Sequence, residues 1–139
     1  KVLFALDNTG RLREMYLREH PSLEGRVMFA SVAPNHPAAA FVKLNDPIAH
    51  FEQIQAAVRQ GLIVRTRADA DTAQARSGDT RRLEAALASG AQYISTDYPE
   101  ADNRFSSYRA GFEPSQEFRL NPLFSVSGQS PVGNKPNDD

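Results

Sequence analysis

Cysteine is absent from the 139 residues of this chain. That excludes disulfides, thiolate metal centres and a cysteine nucleophile, and it leaves either redox compartment open. An excess of one charge is also absent. Sixteen Lys and Arg stand against 17 Asp and Glu, for a formal net charge of −1. Neither the basic footprint of a nucleic-acid binder nor a polybasic membrane anchor is present. The longest apolar runs are strand-sized, too short to cross a bilayer as a helix. Glycine is sparse. Where an open nucleotide-binding sheet carries its glycine-rich loop, this chain has Asp7-Asn8-Thr9-Gly10, which argues against that class. There is no Gly-x-Ser-x-Gly elbow, so serine hydrolase chemistry is unsupported. The histidines are few and scattered. His20 and His36 each precede a proline and His50 stands beside Phe51. No two have the spacing of a metal-binding helix, and solvated or capping roles suit all three.

What is present has the size of one domain and the rhythm of an α/β protein. Val2 to Leu6 reads as a buried strand, and Arg11 to Glu19 as a helix ended by His20-Pro21. Lys1 stands directly before that first strand without a lead-in loop, as expected of a chain that starts inside a larger barrel. Strands follow at Arg26 to Val32 and Ala39 to Asn45, separated by a gap too short for a crossover helix. The next helix carries the best local signals. Asp46 can cap it, Pro47 suits its first position, and Ile48, Phe51, Ile54 and Val58 form an apolar stripe closed by Gly61. A fourth strand is expected at Leu62 to Arg67. A helix from Asp79 or Thr80 follows, through Leu83, Ala86 and Leu87 to Gly90, and then a fifth strand at Gln92 to Thr96. Residues 99–123 read as irregular, anchored by Phe105, Tyr108, Phe112 and Phe118. The Ser, Gly, Asn and Pro-rich residues 124–139 read as a disordered tail.

The strand ends carry the chemistry. Residues two apart share a strand face. This groups Asp7 with Leu3 and Ala5, Lys43 with Phe41 and Asn45, Arg65 and Arg67 with Ile63 and Asp69, and Asp97 with Tyr93 and Ser95. Val64, Thr66 and Ala68 form the opposite, helix-packed face. Lys43, Arg65 and Arg67 suit a phosphate, with arginine adding bidentate geometry. Asp7 and Asp97 are hard oxygen donors suited to Ca2+ or Mg2+. Structural ion pairing is the competing reading for each of these residues, above all for the deeper Arg65. Asp69 and Asp71 are placed to cap a following helix, and Tyr98 to pack with a satisfied hydroxyl.

Four segments carry a family resemblance: residues 20–30 (His-Pro-Ser-Leu-Glu-Gly-Arg-Val-Met-Phe-Ala), 39–47 (Ala-Ala-Phe-Val-Lys-Leu-Asn-Asp-Pro), 64–72 (Val-Arg-Thr-Arg-Ala-Asp-Ala-Asp-Thr) and 86–98 (Ala-Leu-Ala-Ser-Gly-Ala-Gln-Tyr-Ile-Ser-Thr-Asp-Tyr). In that order they resemble the C-terminal half of bacterial calcium-dependent phosphoinositide-specific phospholipases C, over residues 1–123. Leu120 departs from the pattern, which has cysteine there. The resemblance implies an irregular (β/α)8 TIM barrel without a helix between its fifth and sixth strands. The five strands here become strands four to eight, and the gap between Val32 and Ala39 is accounted for.

The resemblance further implies a Ca2+-dependent phosphodiesterase that cleaves phosphatidylinositol-type lipids at a membrane surface to diacylglycerol and inositol phosphate. Asp7 falls at a metal-binding position, and Lys43, Arg65, Arg67, Asp97 and Tyr98 become substrate-side groups. One histidine would act as general base on the inositol 2-hydroxyl and a second as general acid on the leaving group. Both lie on the first three strands, so the expected partner is the N-terminal half of the same barrel or a second copy, and the chain alone is expected to be inactive. A secreted or periplasmic setting is implied, with no nucleic-acid partner. Glycerophosphodiester phosphodiesterases end their barrels in a similar Thr-Asp-Tyr strand and are one alternative. A non-catalytic binding or structural module is the other.

Overall fold

Short β-branched and apolar runs make the strands here, and two amphipathic helices cover one face of them. The computed structural model describes residues 2–112, 116–124 and 132–134. Strand β1 (Ala5–Leu6) leads through helix α1 (Arg11–Leu17) to β2 (Phe29–Ala30), which pairs with β1 in parallel. Strand β3 (Phe41–Lys43) leads through α2 (Phe51–Arg59) to β4 (Ile63–Arg67). The short α3 (Ala73–Ser77) and then α4 (Arg81–Ala88) lead to β5 (Tyr93–Ser95). Strands β3, β4 and β5 form a second parallel sheet in that order. A single parallel bridge, Ser31 to Phe41, joins the two sheets. Five parallel strands therefore follow one another in chain order, and no helix separates β2 from β3, as the spacing predicted.

The α2 region shows how local sequence builds this frame. The Asp46 carboxylate accepts the N–H groups of Ile48 and Ala49, each at 3.1 Å, and so closes a turn that feeds into the helix. Gly61, at φ 84°, lets its N–H reach the Val58 carbonyl while Leu62 reaches Ala57, a left-handed helix ending that glycine takes without strain. Ile54, Ala57 and Val58 then bury against Val42 and Val64. Each branched side chain buried there contributes about 1.5–3 kcal/mol. Ile48 departs from the predicted stripe at 59% exposure, because it lies in the capped turn ahead of the helix, where its side chain misses the sheet.

The N-terminal strand also departs from expectation. Only Ala5 and Leu6 are paired, and Val2, Leu3 and Phe4 are exposed at 77, 49 and 61%. The Phe4 carbonyl accepts from Phe29 and the Leu6 carbonyl from Ser31, but no described element packs over their side chains. Helix α1 buries none of its residues. Its half-buried Leu17 packs on a second, small apolar cluster of Ala30, Val32 and Ala38. Polar ties add to this: the Tyr16 hydroxyl donates to the Met28 carbonyl at 3.1 Å and accepts the Met28 N–H at 2.8 Å, and Arg13 donates to the Ser31 carbonyl.

Helix α3 was not predicted. It lies between two left-handed residues, Thr72 at φ 64° and Gly78 at φ 70°. Gly90 ends the helical region before β5, and a Cβ there would come within 2.7 Å of Leu123. That close approach brings in the returning segment, whose Asn121 amide donates to the Gly90 carbonyl at 2.7 Å. Residues 99–112 contain neither helix nor strand. Within them Tyr108 is buried, as an anchor should be, whereas Phe105 and Phe112 are partly exposed. The side chain of Phe118 lies outside the described residues. Strand β6 (Gln116–Arg119) pairs antiparallel with β7 (Val132–Asn134). Of the tail expected to be disordered, 125–131 and 135–139 lie outside the described residues. Among the described residues no helix is long and apolar enough to cross a membrane.

Candidate functional site

The alternation along β4 sets the site. Val64, Thr66 and Ala68 are wholly buried on the helix-covered face, and Arg65 and Arg67 stand partly exposed on the other. Register places Lys43 beside Arg65 and Arg67 beside Ser95. Three cations therefore line one face over two adjacent strands, as the sequence predicted.

Each has a partner at another strand end, Asp7 lying two strands away from Lys43. Lys43 is ion-paired with Asp7. Arg65 donates to the Asn45 side-chain oxygen at 2.6 Å, and Arg67 to the Asp97 carboxylate at 3.0 Å. The cations are the shielded members, at 24% side-chain exposure for Lys43 and 29% for Arg67, and the carboxylates are the open ones, at 77% for Asp7 and 60% for Asp97. The Lys43 hydrogen bond holds the Asp7 carboxyl below its ordinary value, and the charges of Lys43 and Arg65 add to that effect. An approaching cation meets the carboxylates first. An approaching anion can take over the donors once an aspartate swings out.

Asp97 and Tyr98 sit at the end of β5, and Tyr98 packs edge-on to Tyr108 with ring centres 6.2 Å apart. Asp7, Lys43, Arg65, Arg67 and Asp97 therefore share these strand-end contacts, whereas Tyr98 is engaged through its ring with Tyr108. Two residues were missed. Asp69 was expected to cap a helix, but it is wholly buried and accepts hydrogen bonds from the segment 96–97. Both Asp69 oxygens are engaged by that segment, and no side chain caps α3, so Asp71 has no such role either. Arg82 reaches from α4 to the Asn45 carbonyl at 2.5 Å and to Asp46 at 3.4 Å. Its position one turn before the buried Ala86 was the available signal. A cavity of about 500 Å3, lined by Leu87, Ala91, Ile94, Phe112 and Pro122 among others, runs along β5 and includes none of the predicted site residues.

The histidines bind local backbone. His20 Nδ1 lies 2.7 Å from the Glu24 carbonyl, His50 Nδ1 lies 3.2 Å from the Asp46 carbonyl, and His36 Nδ1 accepts the Ala38 N–H at 3.0 Å. These are the structural roles expected for all three.

A family model described as phosphoinositide phospholipase C, Ca2+-dependent, matches residues 1–122. The chain belongs to that family. No curated protein and no solved structure matches it. Ca2+ is thus the metal of this phospholipase C family, and a full Ca2+ site takes six to eight oxygens. Among the described residues no three His, Asp or Glu side chains gather to hold a metal. A complete Ca2+ site does not fit within them. Asp7 can supply one carboxylate, and that carboxylate is held by Lys43.

Proposed function

We propose that the face carrying Lys43, Arg65 and Arg67 is the phosphodiester-binding wall of a phosphoinositide phospholipase C. The observation that carries this reading is the alignment of three cations on adjacent strands, shielded but reachable, in a chain of this family. In the reaction the inositol 2-hydroxyl attacks phosphorus and the diacylglycerol oxygen departs. Negative charge grows on the phosphoryl oxygens, where fixed cations stabilise it most. Lys43 and Arg67 release their aspartates to receive those oxygens. Arg65 holds Asn45 and the wall in place, while Asp97 and Tyr98 meet the inositol ring. Asp7 offers one oxygen to Ca2+, whose other ligands come from outside the described residues.

Each histidine here engages local backbone through Nδ1 and none pairs with the cations of the wall, and in this reading the general acid and base belong to another part of the enzyme. The order of β1 to β5 and the helix-free link between β2 and β3 support a place as strands four to eight of an irregular (β/α)8 barrel, spanning 1–123. The partner is the N-terminal half of that barrel, and the substrate a phosphoinositide lipid at a membrane surface.

The ion pairs favour a second reading, in which Lys43–Asp7 and Arg67–Asp97 are structural only. Diacylglycerol release from phosphatidylinositol vesicles by the reconstituted enzyme separates the two. Lys43→Ala or Arg67→Ala is expected to lower kcat/KM by about 100-fold. Unaltered kinetics in both would leave the structural reading standing. Asp7→Asn is expected to weaken the Ca2+ dependence, and an unchanged dependence removes Asp7 from the metal.

A further inference from the structure

Asp69 is a buried carboxylate to which the proposed reaction gives no role. It sits two residues past β4 with its side chain wholly shielded from solvent. Its hydrogen bonds come from neutral donors. One oxygen accepts the Asp97 backbone N–H at 2.9 Å, and the other accepts the Thr96 hydroxyl and lies 3.2 Å from the Tyr108 hydroxyl. The Thr96 oxygen in turn accepts the Tyr98 N–H at 2.9 Å. Both backbone N–H groups of the Asp97–Tyr98 corner are therefore fixed, one by Asp69 directly and one through a hydroxyl that Asp69 orients. Tyr108, tied to the same carboxylate and to the Ala68 carbonyl at 3.1 Å, presents its ring to Tyr98. Burial and the Asp69 charge push the Tyr108 phenol up, so it remains a donor.

We propose that Asp69 is a positioning residue: through Thr96 and the Asp97 N–H it holds the corner that sets the Asp97 carboxylate against Arg67 and places Tyr98 beside it. The proposal rests on the reading of Arg67, Asp97 and Tyr98 as substrate-side groups. Burying a carboxylate among neutral donors is costly, and what that cost secures here is the direction of two N–H vectors. An amide in its place keeps one acceptor oxygen and loses the other. An apolar replacement keeps neither.

The test uses the full chain and four variants: Asp69→Asn, Thr96→Val, Thr96→Ser and Arg67→Ala. Amide NMR spectra report the corner directly, and titration with myo-inositol 1-phosphate reports binding. Thr96→Val is expected to move the Tyr98 amide proton upfield and Asp69→Asn that of Asp97, each with about a tenfold loss of affinity. Thr96→Ser, which keeps the hydroxyl, is expected to keep both wild-type amide shifts and affinity. A folded Thr96→Val protein with wild-type amide shifts overturns the proposal, whether or not Asp69→Asn folds. The substrate-side reading fails separately, if Arg67→Ala binds myo-inositol 1-phosphate as wild type does. In that event the amide shifts still decide whether Asp69 positions the corner.

Discussion

Lys43 and Asp7 form the most exposed of the cross-strand contacts in the candidate site, and their pairing has a measurable signature. The folded-state pKa of Asp7 is depressed, first by the hydrogen bond from Lys43. By linkage, the stabilisation from the pair is present above the ordinary carboxylate value and is lost as pH falls through the depressed one. Lys43→Met is expected to raise the Asp7 pKa toward its ordinary 3.8, followed by NMR titration of the side-chain carboxyl carbon. An unmoved titration would show that Lys43 does not hold the carboxylate. At this scale the sequence was informative wherever strand alternation could act. It grouped Lys43, Arg65 and Arg67 because a two-residue period fixes which side chains share a face. It misplaced Asp69 because the residue that departs from alternation lies two residues beyond the strand, where hydrogen-bond partners from 96–108 decide its direction.

Among the elements, α2 against β3 and β4 holds the larger of the two buried apolar clusters, and Ile54 is its largest wholly buried side chain. Ile54→Ala is expected to cost about 3 kcal/mol, read as a lower midpoint in urea unfolding. A cost below about 0.5 kcal/mol, the range of ordinary surface changes, would mean this cluster is not the core. Helix α2 and the strands β3, β4 and β5 were legible in the sequence because caps, glycine stops and β-branched runs act locally there. Helix α3 was not, since its five residues are too few for a period to register, and its boundaries are set by left-handed Thr72 and Gly78. The pairing of β6 with β7 was not legible either, because the Ser, Gly, Asn and Pro-rich composition around β7 carries no strand alternation.

For the whole molecule, the informative feature is apolar surface that nothing described covers. Val2, Leu3 and Phe4 are exposed, as are Leu12 and Met15 of α1, beside a β1 strand paired through one edge only. Such surface and such edges mark association sites. Native mass spectrometry is expected to show the 15.3 kDa chain bound to a second polypeptide or to itself. A stable monomer that retains this fold would count against the partner proposed above. The sequence anticipated the parallel order of the strands but not this exposure, since it reports that residues are apolar and not whether anything packs on them.

The single bridge between Ser31 and Phe41 has a mechanical meaning. The cluster around Ala30, Val32 and Ala38 and the cluster around Val42 and Ile54 are separate, so each side of that bridge holds its own hydrophobic nucleus. Under load or mild denaturant, the chain is expected to part first along the line between these two blocks, which hydrogen exchange of the amides around Ser31 and Phe41 would read. Asp7 stands on one block and Lys43 on the other. The contact at one end of the candidate site thus also spans the line between the two blocks.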